Sequence, residues 1–432
     1  MKKIILLLLV IINSSFLFSQ ITLTMEGSVV NNTEQGSWSG VNIPRNVPTT
    51  FTYRNNSITS VNSSVYMLQA GDEDILSTNN NLAGEVITGN KLIWNGNNIA
   101  SVITHGIFTG YNKNAVIKYN YLNKVPMGII RKSNGMTNTS GGVAYNIVNK
   151  TSAVGIVVKG MNNVNIYNNT FYSNEAAYTG ENAPGTWRGI VDVYENDGLS
   201  PAVPSTGTKI KNNIFYTKNQ IPNIFIYQST CLPGFESDYN LFYCESGTPV
   251  FNYLGSRKTF AEWQALGYDV HSVVVNPNFI DFTDFVPSAR LDYGTDLGAV
   301  WQTGLSTTAT WTPGSSPATS NQNGKWQVGA CIYNTATNPT IGTLKMIVYP
   351  NPVYNIINVT VDYTGSISAQ IDASFPQIIR IYDMSGRLYI VKSLVTGITN
   401  FQIPINIKSG IYNLQLLSAG VVKASQKIIV YG

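Results

Sequence analysis

Through the middle of the chain, short β-branched and aromatic runs alternate with polar positions and break every few residues at asparagine or glycine. One run recurs, a strand-like stretch that enters an asparagine and leaves through an apolar or aromatic pair. It reads VITGNKLIWNG from Val86, VIKYNYLN from Val116, VAYNIVN from Val143, VNIYNNTFY from Val164, TKIKNNIFY from Thr208 and SDYNLFY from Ser237. After an early copy at Asn90, the aligned residues are Asn120, Asn146, Asn169, Asn213 and Asn240, at steps of 26, 23, 44 and 27 residues, and 44 is two steps of 22. A second strand type interleaves: HGIFTG from His105, MGIIRK from Met127, VGIVVK from Val154, RGIVDV from Arg188 and a degenerate NIFIY from Asn223. Only Phe260 to Leu266 (FAEWQAL) has helical spacing.

A coil of this length holds about three short strands and three turns. One coil cannot bury its own apolar face. Stacked in register, each strand pairs with its equivalent above and below, and the inward residues share one core. Asparagine tolerates the left-handed backbone of a tight turn, and its amide can bond to the equivalent amide of the next coil. The expected fold is all-β, a right-handed parallel β-helix followed by a small antiparallel β-sandwich. The missing helical period excludes helical solenoids, and the missing hairpin signals exclude a propeller. Open solenoid ends expose sheet edges and need caps. Residues 21–85 are expected to form the N-terminal cap and first irregular rungs. Asn276 to Ala299 resembles the closing rung of many bacterial β-helix proteins, through NPNF, DF and a final D-x-G turn. Thr303 to Gly324 reads as a surface loop, and KWQVGACIY from Lys325 as a last strand.

The chain start adds an address. Lys2 and Lys3 precede an apolar run from Ile4 to Ile12, broken by Asn13, Ser14 and Ser15. That is a Sec signal peptide over residues 1–20, too short to span a bilayer. No later stretch is long and apolar enough to do so. Of the net charge of +4, the leader takes two, which leaves no electrostatic case for nucleic acid or an anionic membrane. Charged residues are only 12% of the chain, so each one on a strand stands out. Cys231 and Cys244 would pair in an oxidising compartment or remain buried thiols, with Cys331 left over. Two histidines, His105 and His271, are too few for a histidine-rich metal site.

Residues 21–333 are thus the solenoid, 334–344 a polar linker, and 345–432 a separate module of about seven half-buried strands. In that module YPNP (Tyr349 to Pro352), IYDMSGR (Ile381 to Arg387), SGIY (Ser409 to Tyr412) and KIIVYG (Lys427 to Gly432) occur in order. Together they resemble the C-terminal sorting domain of the Bacteroidota type IX secretion system. The resemblance implies recognition of residues 345–432 by the outer-membrane translocon, then removal of the domain, with the cargo released or held at the surface.

The second strand type carries several charged residues. Aligned on Gly106, Gly128, Gly155 and Gly189, the position two further on holds Phe108, Ile130, Val157 and Val191, a column expected to point inward. The opposite parity and the strand ends then gather His105, Arg131, Lys132, Lys159 and Arg188 as candidate catalytic residues, with Tyr111, Trp187, Asp192 and Tyr194 as candidate substrate contacts. Cations beside a uronic-acid carboxylate stabilise the enolate of β-elimination, and stacked Lys132 and Lys159 would ease one of them into the role of base. The set broadly resembles β-helix lyases on alginate, pectin or chondroitin, without the diagnostic motif of any one family. The expected partner is a polysaccharide, acted on by a monomer, with a non-catalytic adhesin or glycan-binding spine as the competing reading. No cofactor is expected, although Asp192, Glu195 and Asp197 could ligate Ca²⁺ or, for Asp192 and Glu195, serve as a hydrolase pair.

Overall fold

A computed structural model describes residues 21–32, 49–62, 66–71, 83–97, 104–110, 114–135, 137–138, 140–150, 154–173, 189–196, 198–280, 282–333, 345–362, 377–384, 387–394, 400–418 and 421–431. The leader 1–20 and the linker 334–344 lie outside these residues. The chain divides into two compact units, 1–333 and 334–432.

The first unit is a parallel β-helix of three long sheets. The first sheet stacks Ile21–Glu26, Thr49–Arg54, Ala83–Thr88, Asn114–Lys118, Gly142–Ala144, Asn165–Tyr167, Lys209–Lys211 and Glu236–Asp238 in that order. The second runs from Val29–Asn32 to Val273–Val274, and the third from Tyr66–Ala70 to Val250–Tyr253, with Ser256–Thr259 added antiparallel at its end. The chain visits the first, second and third sheets in turn, so each circuit is one rung. Parallel strands of the first two sheets stack from Ile21 and Val29, and the third sheet begins at Tyr66, while residues 33–48, 63–65 and 72–82 of the expected N-terminal cap lie outside the described residues. Inside, like sits over like: Phe171, Phe215 and Phe242 stack with ring centroids 5.0 Å apart.

The asparagines form a column between the first and second sheets, as their spacing predicts. Asn120 Nδ2 donates to Asn146 Oδ1 at 2.9 Å, Asn146 to Asn169 at 3.0 Å, Asn169 to Asn213 at 3.0 Å and Asn213 to Asn240 at 3.0 Å. Asn56, not recognised in the sequence, begins the ladder by donating to Asn90 at 2.8 Å. The left-handed turn residue is not the ladder asparagine but its predecessor: Asn55, Tyr119, Tyr145, Asn168, Asn212 and Tyr239 all have φ between 51° and 61°.

Residues 276–333 do not close the end of the solenoid. They return along its outside. Phe279, Phe285, Val286, Leu305, Val328 and Tyr333 form a second core with Tyr121, Tyr172, Tyr216 and Leu241 on the outer face of the second sheet. Trp311 Nε1 donates to the Tyr119 carbonyl at 2.7 Å, and Gly314 N to that of Asn55 at 3.0 Å. The expected loop 303–324 is therefore a strap, anchored through Thr303–Ser306, which pairs with Cys331–Ile332. The end is closed instead by the helix α1 (Phe260–Ala265), with buried Trp263 stacked on Phe251 at 4.8 Å. Cys231, Cys244 and Cys331 are all buried, and the optional disulfide between Cys231 and Cys244 is not formed.

The second unit has two antiparallel sheets. Lys345–Tyr349, Ile356–Asp362 and Asn400–Pro404 make one, and Gln377–Asp383, Leu388–Leu394, Gly410–Ser418 and Val421–Val430 the other. Val348, Ile357, Val359, Ile379, Ile381, Leu414, Leu416 and Ile428 fill the space between them.

Candidate functional site

The outer face of the third sheet is set by one irregularity. A Cβ on Gly106 would meet Leu122 at 2.7 Å, and on Gly155 Phe171 at 2.8 Å, so the glycines face the core as expected. The next residues, Ile107, Ile129 and Ile156, face the core too. Two successive inward residues reverse the phase of the rest of each strand. Phe108, Ile130 and Val157, expected inward, therefore form a separate outer cluster with Met127 and Val154. The fourth strand also slips by one: Val191 pairs with Ile156, and Asp192 with Val157.

The same reversal turns Arg131 into the interior. It is 1% exposed, and its Nη1 donates to Thr109 Oγ1 at 2.8 Å. Burial pulls its guanidinium down to about 10, against the opposing charge of buried Glu85. Glu85 also bears on Tyr53, whose hydroxyl burial pushes up. Arg131 is thus a core residue and cannot meet a ligand. Asp192 is buried as well, and its Oδ1 accepts the Gly189 amide at 2.7 Å. Glu195 accepts from the Thr230 hydroxyl, Asp197 lies outside the described residues, and no cluster of three metal-ligating side chains occurs among those residues.

Three candidates do come together. Lys132 is in register with Lys159, and Lys159 with Tyr194, on neighbouring strands. Lys159 Nζ lies 5.2 Å from the Tyr194 ring centroid. Partly exposed Tyr227 follows, its ring stacked on Phe225 at 5.9 Å. This gives two cations and then aromatics along one edge of the sheet, a rung apart at about 4.8 Å. His105 stands at the opposite end of its strand, in register with Tyr66 and Met127, its ring 4.8 Å from that of Tyr66. Tyr111, Trp187 and Arg188 lie outside the described residues.

A second polar face lies on the first sheet. On the outside of the first sheet, Glu236 bridges Lys209 at 2.9 Å and Lys211 at 2.7 Å. Next to it His271 Nδ1 lies 2.6 Å from Asp238 Oδ2, its ring stacked on Tyr239 at 4.8 Å. The signal available was the i, i+2 spacing of Lys209/Lys211 and Glu236/Asp238 on successive rungs. These charges are paired with one another, which is how a solvated face is built.

Residues 347–431 match the family model of the secretion system C-terminal sorting domain. The tail is therefore a type IX sorting domain, and the protein is secreted to the cell surface or the extracellular space. No described helix is long and apolar enough to cross a membrane. No curated protein and no solved structure matched the chain.

Proposed function

We propose that the exported solenoid binds an acidic polysaccharide along the outer edge of its third sheet. The observation that carries this reading is the register of Lys132, Lys159 and Tyr194 on consecutive strands. A rigid column of cations and aromatics suits a ligand that is itself a long chain of acidic sugar rings. The ammonium groups meet carboxylates or sulfates, and aromatic faces stack on pyranose rings. Binding rather than catalysis is favoured because Arg131, a candidate catalytic cation, is buried in the core.

A second reading, β-elimination on the same glycan, keeps one supporting observation: His105 and both lysines share the outer face of one sheet. In that reaction a base takes the proton at C5 and the C4–O bond breaks, leaving an unsaturated sugar. One experiment separates the two. Purified protein is incubated with uronic-acid, sulfated and neutral polysaccharides, while retention and near-ultraviolet absorbance are followed. Binding predicts retention of the acidic glycans without new absorbance, and elimination predicts absorbance that grows with time. Equal retention of neutral and acidic glycans, or of none, would remove the proposal.

A further inference from the structure

Seven asparagine amides run through the solenoid as one hydrogen-bonded chain, and the chain ends on a carboxylate. Asn56, Asn90, Asn120, Asn146, Asn169, Asn213 and Asn240 each turn Nδ2 toward the next rung. The last of them, Asn240, donates to Asp269 Oδ1 at 2.8 Å. Asp269 is fully buried. Ser272 Oγ donates to the same oxygen at 2.6 Å. Oδ2 accepts from Ser237 Oγ at 2.6 Å and from Trp263 Nε1 at 2.7 Å. The four donors belong to four parts of the closure: the ladder, the turn before Val273–Val274, the last strand of the first sheet, and α1.

Two of these donors have no alternative. An indole N–H only donates, and Asn240 must present Nδ2 because its Oδ1 already accepts from Asn213. They address different oxygens. A carboxylate satisfies both, whereas an amide would set its NH₂ against one of them. The backbone does not make this choice, since Asp269 has φ 51°, a conformation that asparagine adopts equally well.

We infer that Asp269 locks the C-terminal end of the solenoid: as terminal acceptor of the amide ladder it holds the last rung and α1 shut. It is a positioning residue for the fold. Each rung of a solenoid touches only its neighbours, so loss of the lock opens the end and leaves the middle closed.

The test is hydrogen exchange resolved by segment on the full chain. Asp269→Asn leaves a buried donor unmet, and is expected to speed exchange in 236–275 by about 30-fold and in 114–173 by less than about 3-fold. Trp263→Phe removes one obligate donor and keeps the ring on Phe251. On that background Asp269→Asn is expected to add less than about 3-fold. Equal effects in both backgrounds, uniform acceleration along the solenoid, or no change on Asp269→Asn would each overturn the inference. If Asp269→Asn does not fold, Trp263→Phe alone decides: faster exchange in 236–275 only supports the lock, and any other distribution overturns it.

Discussion

A guanidinium inside an apolar solenoid persists only if its charge is answered there. Arg131 is answered by Thr109 and by the field of Glu85. Arg131→Ala would strand the Glu85 carboxylate, and is expected to cost about 3–5 kcal/mol in urea unfolding. Adding Glu85→Gln should recover part of that loss. At the surface the scale is smaller. Lys211 and Lys209 hold the Glu236 carboxyl below its ordinary range. A lowered folded value means that this stabilisation is present above the unfolded pKa and is lost as pH falls through the lowered one. Because Glu236 and Lys209 are well exposed, melts from neutral to acid pH should show Glu236→Gln removing less than about 1 kcal/mol. Residue orientation was the hardest thing to read from the chain. Alternation places Arg131 outside, and only the paired inward glycine and isoleucine reverse it. Nothing in the sequence GIIRK distinguishes that reversal from regular alternation.

Among the elements, the asparagine ladder is the most legible, because identical residues at one step length leave a visible period. Each ladder amide meets its neighbours on both sides. Asn146, for example, accepts from Asn120 N and Nδ2, and donates to Asn169 and to the carbonyls of Ile117 and Ala144. Asn146→Ala leaves several buried groups unmet, each worth about 1–3 kcal/mol. It is expected to lower the unfolding midpoint far more than Asn165→Ala on the outer face of the first sheet. The strap 276–333 was not legible. Its Phe, Trp and Tyr residues carry no period, and their place depends on grooves between the tyrosines of the second sheet. The lysine column was legible only in part: the register put Lys132 beside Lys159, while the slip at Val191 moved Asp192 onto the outer face and into burial.

For the molecule as a whole, the tail states the destination and the solenoid the task. Removal of 345–432 is expected to abolish appearance of the protein outside the cell, read by immunoblot of medium and surface fractions, without altering glycan binding by the purified solenoid. The column of Lys132, Lys159 and Tyr194 carries the binding reading, and calorimetric titration with uronic-acid oligosaccharides of increasing length tests it most directly. Affinity should rise with length, weaken with salt, and fall at least about 10-fold in Lys132→Ala/Lys159→Ala. The paired Lys209→Ala/Lys211→Ala control should bind as the parent does. Unchanged binding in the first variant, or its loss in the second, would contradict the account.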